Sequence, residues 1–266
     1  MKSINPTPFP EVNAILHELL ESIQDILGAH FIGMYLEGSL ANGDFDQDSD
    51  IDFVAVTDVE VTENFFSALQ TMHERIARID SRWAVQLEGS YISQQGLRRY
   101  DNANDMHPNI ERGSGERLKV TQHEEVWNVH RHILREHGIT IIGPAPKTLI
   151  DPLTPNDLKQ AMLPALNGWA TQILNHPKEI RHRGYQSYIV LTLCRILYTL
   201  HSGEVASKRK SASWIKETAG KKRKILIDHA WEGRHHPQMP ADMEEIRQTL
   251  DFIKYTLECS QQVKLT

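Results

Sequence analysis

The sequence predicts the α+β fold class, with an N-terminal domain of mixed strands and helices followed by an all-α helical bundle. Two observations carry this prediction. Up to about residue 150, short apolar runs that suit buried strands alternate with helical patterns. Beyond the proline-rich segment GPAPKTLIDPLTP, every apolar pattern has the spacing of a helix. We therefore predict two domains, at residues 1–150 and 151–266.

In the first domain, the apolar positions of EVNAILHELLESIQDIL follow one helical face. The apolar runs FIGMYL and IDFVAV suit short buried strands, and a helix follows through NFFSALQTMHERIARI. WAVQLEGSYI alternates enough to predict a strand, whereas the polar stretch from Gln94 to Thr121 suits loops or short strands. EEVWNVHRHILREHG predicts a helix ended by Gly138, with ITIIG as a short buried strand after it.

In the second domain we predict five helices with short breaks between them. Their segments are DLKQAMLPALNGWATQIL, YQSYIVLTLCRILYTLH, SASWIKETA, KILIDHAWE and DMEEIRQTLDFIKYTLECS.

The composition excludes several classes of protein. A net charge of −6 argues against general binding to nucleic acid, which favours a basic balance. Two cysteines, Cys194 and Cys259, are too few for a disulfide framework and suit a reducing cytosol. The N-terminus MKSINPTPFPEVN lacks the apolar core of a signal peptide, and no apolar run is long enough to span a membrane. We therefore expect a cytoplasmic protein.

One pattern stands out for its chemistry: Gly38-Ser39, then ten residues, then Asp50-Ile51-Asp52. On an extended strand, Asp50 and Asp52 project from the same face. Two such carboxylates repel each other unless one takes up a proton or a divalent cation lies between them. Gly38 lets the backbone approach phosphate oxygens, to which Ser39 can donate. The pattern favours a magnesium–triphosphate site over the alternative, an exposed acidic loop.

The same pattern resembles the motif of the nucleotidyltransferase superfamily, whose fold is polymerase-beta-like. In addition, YIVLTLCRILYTLHSGEVASKRKSASWI resembles the C-terminal helical domain of the aminoglycoside adenylyltransferases that modify streptomycin and spectinomycin. The similarity covers about residues 15 to 260. It implies that Asp50 and Asp52 ligate Mg²⁺ and that Gly38 and Ser39 hold the triphosphate of ATP.

A third carboxylate, Glu88, lies on the predicted strand that follows and would neighbour IDFVAV. In the family a third acid at this place is the catalytic base, so the resemblance gives Glu88 that role together with a place in the metal cluster. The alternative is a solvent-facing glutamate at a strand end.

The helical domain offers two cations, Arg195 and Lys208. The resemblance implies that both bind the phosphates of ATP when the two domains enclose the nucleotide. The alternatives are a structural ion pair for Arg195, because burial of an arginine charge is costly, and a solvated loop position for Lys208. Trp231 suits either stacking near the nucleotide or packing.

The acceptor's identity rests on weaker signals. The stretch ILNHPKEIRHRGYQSY carries more basic than acidic residues, which would repel a polycation such as streptomycin. Spectinomycin, smaller and less charged, is therefore favoured, while acids elsewhere are further candidates for the cleft lining: Glu111, Glu116 and Glu124.

The predicted function is Mg²⁺-dependent transfer of AMP from ATP to a hydroxyl group of a small, aminoglycoside-like acceptor, by a monomeric enzyme without nucleic-acid or membrane partners. Two alternatives stay open. The acceptor is a non-antibiotic metabolite, a protein or an RNA, or the chain is a non-catalytic, antitoxin-like binding protein. The net acidity weighs against RNA.

Overall fold

A computed structural model describes residues 5–218 and 220–263 of the chain. The chain divides into two compact units between Pro152 and Leu153. The functional boundary that we place after residue 150 stays a prediction. Among the helices of the described residues, none combines the length and apolar character that crossing a membrane would require.

The first unit is a six-stranded mixed sheet with helices on both faces. Its sheet has the order β5-β4-β3-β2-β1-β6, in which β2 and β3 run parallel and the other described neighbours antiparallel. In chain order the elements are α1 (Pro10–Leu27), β1 (Phe31–Leu36), α2 (Gly38–Asn42), β2 (Ile51–Thr57), α3 (Glu63–Ile76), β3 (Leu87–Ser93), α4 (Gln94–Arg98), β4 (Met106–Ile110), β5 (Lys119–Gln122), α5 (Trp127–His137), β6 (Ile139–Ile142) and α6 (Pro146–Leu149).

Alternation along the strands separates the two faces of this sheet. One face buries Phe53 and Tyr91 against the apolar stripes of α1 and α3. The opposite face buries Val54 and Ile92 in a smaller cluster with Leu134 of α5 and residues of α6. Because side chains alternate, the residues at even positions of β2 and β3 lie on the α5 side of the sheet. This is the side that carries the predicted acids.

The structure corrects the predicted strand WAVQLEGSYI. Residues Arg82–Val85 form a 3₁₀ turn, and the strand begins only at Leu87. The turn is capped by Ser81, whose hydroxyl accepts a hydrogen bond from the backbone N–H of Trp83. Trp83 and Ala84 are buried although they are not in a strand, so their apolar character reflects packing rather than a pleat.

The polar stretch from Gln94 to Thr121 contains the short strands β4 and β5, as predicted, and also the unpredicted helix α4. Ser93 starts that helix, because its hydroxyl accepts from the backbone N–H of Gly96. The proline-rich connector likewise contains the short helix α6, whose Leu149 is buried in the core of the first unit.

All five predicted helices of the second unit are confirmed. They are α7 (Pro155–Asn175), α8 (Arg183–Ser202), α9 (Lys208–Thr218), α10 (Lys221–Gly233) and α11 (Met243–Ser260). Helix α8 contacts the other four and contributes the largest set of buried residues, so it forms the centre of the bundle. A capping box of Thr154 and Asp157 begins α7.

Candidate active site

Asp50, Asp52 and Glu88 lie together at the start of the two parallel strands. The register of β2 and β3 pairs Asp52 directly with Glu88, and Asp50 immediately precedes β2. Carboxylate oxygens of all three residues lie within 4.8 Å of one another. The sequence predicted this meeting from the expected strand neighbours, and the parallel register is what brings it about.

The surroundings of Glu88 disfavour its charged form. Burial raises the pKa of Glu88 to about 7, and the negative charge of Asp50 adds to this effect. Arg112, on the loop after β4, acts in the opposite direction, since its Nη1 lies 3.5 Å from Asp50 Oδ2. Positive charge beside the cluster therefore favours the ionised form of Glu88.

The Gly38-Ser39 turn fits closely against these acids. Gly38 has φ +60°, and a Cβ there would overlap the carboxylate of Asp52. The turn is held to β2 by the backbone N–H of Glu37, which donates to the carbonyl of Asp52 over 3.1 Å. Ser39 Oγ is buried and has no hydrogen-bond partner within the described ranges. The backbone at Gly38 and the unpartnered hydroxyl of Ser39 are suited to bind phosphate oxygens.

The donor set fits Mg²⁺. Magnesium prefers hard oxygen ligands and is commonly bound through one or two carboxylates together with substrate phosphates. Here three carboxylates converge beside the turn that suits phosphate, and their mutual repulsion is relieved by a divalent cation. Asp50, Asp52 and Glu88 are the residues that would hold the ion.

The two predicted phosphate-binding cations belong to the second unit. Arg195 lies on the central helix α8, and Lys208 is the first residue of α9; both are half-buried. Trp231 of α10 is flanked by the guanidinium groups of Arg209 and Arg234, at 5.0 and 4.8 Å from its ring centre. For Arg195 and Lys208, the proposed contact with phosphate continues to rest on the sequence.

The basic stretch that leads into α8 is less positive than its sequence suggests. Arg183 forms an ion pair of 3.3 Å with Glu245 of α11, and His229 Nδ1 lies 2.8 Å from the same carboxylate. Arg183 and Glu245 are 62 residues apart along the chain, so only the fold brings them together. The sequence alone therefore did not reveal that the charge of Arg183 is compensated.

A set of side chains that the sequence did not predict borders the acids on the α5 side of the sheet. Ser90, two residues after Glu88, lies 3.2 Å from Nε2 of His123, whose ring stacks on Trp127. Trp127 stacks in turn on His130, and His130 Nδ1 donates to Glu37 Oε1 over 3.0 Å. His123 is 33 residues from Ser90 and His130 is 93 residues from Glu37, so no local signal in the sequence pointed to this set.

Comparisons with known proteins assign both units. The family model described as the nucleotidyltransferase domain matches residues 16–101, and the model described as the aminoglycoside adenylyltransferase C-terminal domain matches residues 148–257. Each of the two units is thus matched by one of these domain models. The resemblance inferred from the Gly-Ser and Asp-x-Asp pattern, and from the helical segment, is thereby confirmed.

Curated relatives agree with this assignment. An aminoglycoside (3'') (9) adenylyltransferase from Rhizobium radiobacter is 28% identical over 123 residues, which cover 45% of this chain and 43% of the relative. The chain thus aligns with less than half the length of that relative. A spectinomycin 9-adenylyltransferase from Staphylococcus aureus is 20% identical over 258 residues, covering 91% of this chain and 94% of the relative.

A solved structure shows the same fold. The crystal structure of a spectinomycin adenyltransferase from Enterococcus faecialis, with ATP and spectinomycin, superposes with a TM-score of 0.73 at 15% identity. The match covers 94% of this chain and 99% of that one. The predicted α+β class, a nucleotidyltransferase domain followed by an all-α domain, is confirmed.

Proposed function

We propose that the chain is a Mg²⁺-dependent adenylyltransferase that transfers AMP from ATP to a hydroxyl group of an aminocyclitol or aminoglycoside, with spectinomycin favoured over streptomycin. The observation that carries the proposal is the convergence of Asp50, Asp52 and Glu88 beside the Gly38-Ser39 turn. The named relatives support the substrate class, since they include spectinomycin 9-adenylyltransferases aligned over 91% of this chain.

Each residue of the site has a role in this reaction. Asp50 and Asp52, with Glu88, would hold Mg²⁺, which when bound neutralises charge on the triphosphate. Gly38 and Ser39 bind phosphate oxygens and hold the triphosphate in line with the acceptor. Glu88 takes the proton from the acceptor hydroxyl. As that oxygen forms its bond to the α-phosphorus, the bond to the leaving oxygen breaks and pyrophosphate departs.

Arg195 and Lys208 complete the proposal. We assign them to the triphosphate, where positive charge stabilises the departing pyrophosphate. This assignment rests on the sequence resemblance of α8 and α9. Replacement of either by alanine is expected to weaken ATP binding. We propose that the reaction takes place in the cytoplasm, where ATP is available. We also expect the protein to be a monomer, which light scattering would test.

The test is pyrophosphate release from ATP in the presence of Mg²⁺ and spectinomycin, streptomycin or no acceptor. Asp52→Asn should abolish release, because it removes a charged ligand of the proposed ion. Asp58→Asn is the matched control, since Asp58 pairs with His30 at the exposed end of β2. Release that does not depend on any acceptor, or that survives Asp52→Asn, would contradict the proposal.

A further inference from the structure

Glu37 is a buried carboxylate with one oxygen left unsatisfied. The residue follows β1 directly and is only 6% exposed. Oε1 accepts from His130, whereas Oε2 is buried without a hydrogen-bond partner among the described residues. A buried charged oxygen without a partner is costly, and in native proteins such a group commonly has a water, an ion or a ligand as its partner.

Its position relates Glu37 to the reaction. The backbone of Glu37 pairs with that of Asp52, and Gly38 and Ser39 follow it immediately. Its carboxylate is nevertheless not a member of the group of acids that could hold a metal ion. Glu37 therefore lies beside the proposed metal site while remaining separate from it.

Three stacked rings link Glu37 to the strand that carries the proposed base. The ring centres of His123 and Trp127 are 3.4 Å apart, and those of Trp127 and His130 are 4.8 Å apart. His123 at one end meets Ser90 of β3, the strand of the proposed base, and His130 at the other end meets Glu37. We call His123, Trp127 and His130 the ring stack.

The ring stack is held in place by a buried arginine of α5. Arg131 is 1% exposed, and its Nε and Nη2 donate to the backbone carbonyls of Leu97 and Gly96 over 3.2 and 2.7 Å. These bonds fasten α5 to the end of α4. The ring stack is thus held between the Gly38-Ser39 turn and strand β3, which carries Glu88.

We propose that Glu37 binds a protonated amine of the acceptor through its unsatisfied oxygen, and that the ring stack positions Glu37 for this contact. An ammonium group supplies both the N–H donor and the positive charge that the carboxylate lacks. Carboxylate oxygens and aromatic rings together suit a cation with an apolar ring frame. The inference rests on the proposed function, because it takes the acceptor to be an aminocyclitol that carries an amine. Glu37 is then the residue that selects for this amine.

An acid in the first unit also allows a cationic acceptor despite the basic residues before α8. The stretch before α8 exposes Lys178 and Arg181, which do not favour a cationic acceptor. Glu37 places a negative charge in the first unit, next to the phosphate turn. If Glu37 binds the amine, no acidic residues are needed for this purpose in the stretch before α8.

The experiment compares spectinomycin with its derivative acetylated at every amine, which keeps the ring frame but loses the positive charge. Calorimetry measures the binding of each in Mg²⁺ and a non-hydrolysable ATP analogue. The wild-type protein should prefer the amine, and Glu37→Gln should weaken its binding by about tenfold to a hundredfold, which is the range for a lost charged hydrogen bond. Binding of the acetylated derivative should not change.

Two further measurements separate this role from a structural or metal-binding one. Glu37→Gln should leave Mn²⁺ affinity unchanged, and it should not lower the thermal unfolding midpoint, because the amide oxygen can still accept from His130. Glu74→Gln is the matched control, since Glu74 forms an exposed ion pair with Arg117 in the same unit. A loss of Mn²⁺ affinity, or a lowered midpoint, would overturn the inference.

The amine contact would also be wrong if the wild type and Glu37→Gln bind spectinomycin equally well. It would likewise be wrong if the wild type binds neither spectinomycin nor the acetylated derivative, or binds both with the same affinity. The proposed function fails separately. If the wild type binds spectinomycin through Glu37 but releases no pyrophosphate, adenylyl transfer is wrong and the amine contact stands. If the wild type releases pyrophosphate and Glu37→Gln binds spectinomycin as tightly as the wild type does, only the amine contact is wrong.

Discussion

At the scale of single residues, burial and the neighbouring charges set the protonation of Glu88. The pKa of Glu88 is raised because burial and Asp50 both disfavour its charged form, while Arg112 opposes them. Arg112 Nη1 contacts Asp50 Oδ2 and also donates to the backbone carbonyl of Asp48 over 3.4 Å. The guanidinium therefore lies where it competes with a metal ion for Asp50.

Arg112→Ala is expected to tighten Mn²⁺ binding in the absence of nucleotide. The gain should be about fivefold, because an ion pair whose arginine is half-exposed to solvent contributes about 1 kcal/mol. Electron paramagnetic resonance of free Mn²⁺ measures the change. Arg117→Ala, which removes an exposed cation paired with Glu74, should leave Mn²⁺ affinity as it is. Weaker Mn²⁺ binding in Arg112→Ala would show that the guanidinium does not compete with the metal.

At the scale of elements, the turn between β1 and α2 places phosphate-binding groups against the acid cluster. Gly38 and Gly43 bound this short helix, and both have positive φ, of 60° and 73°. They differ in their surroundings. A Cβ at Gly38 overlaps the Asp52 carboxylate, whereas a Cβ at Gly43 has open space around it.

Gly38→Ala and Gly43→Ala therefore form a matched pair. Each incurs the backbone strain of a positive φ, of about 1 kcal/mol. Only Gly38→Ala should also displace Asp52 and abolish binding of Mg²⁺–ATP, as measured by calorimetry. If both variants bind Mg²⁺–ATP equally, the close approach of Gly38 to Asp52 has no part in nucleotide binding.

The elements also show what the sequence could and could not predict. Apolar runs predicted β1 and β2, because a strand that is buried on both faces must be apolar throughout. Helical spacing predicted α1, α3, α5 and all five helices of the second unit. The 3₁₀ turn at Arg82–Val85 was not predicted. The apolar Trp83, which is buried in this turn, extends the alternating pattern of the strand that follows.

In the candidate site, local spacing was enough to predict Asp50 and Asp52, and strand order was enough to add Glu88. The ring stack was beyond such reasoning. His123 meets Ser90 from 33 residues away, and His130 meets Glu37 from 93 residues away. Contacts of this kind depend on how α5 packs on the sheet, and no local period in the sequence encodes that packing.

At the scale of the whole molecule, buried neutral histidines link stability to pH. Burial lowers the pKa of His73 to about 4, and its Nε2 lies 2.7 Å from the hydroxyl of buried Tyr91. Burial likewise lowers the pKa of His123 to about 2. Both histidines are neutral in the folded protein at pH values where the unfolded chain binds protons.

The free energy of unfolding should therefore fall as the pH is lowered from the ordinary histidine pKa of 6.5 towards 4. For His73 the loss is about 3 kcal/mol, since each unit of pKa difference is about 1.4 kcal/mol. His73→Gln keeps a side chain that can bond to Tyr91 but does not titrate. Urea unfolding between about pH 7 and pH 4.5 should show a shallower decline for this variant. Equal declines would mean that His73 is not the group responsible.

The central claim is that Glu88, held beside Asp50 and Asp52, takes the proton from the acceptor hydroxyl during adenylyl transfer. The most direct measurement is mass spectrometry of spectinomycin after incubation with ATP, Mg²⁺ and either the wild type or Glu88→Gln. We predict that the wild type adds one AMP to spectinomycin, and that Glu88→Gln slows this by about 10² to 10⁴ while still binding ATP. Adenylylation by Glu88→Gln at the wild-type rate would contradict the account.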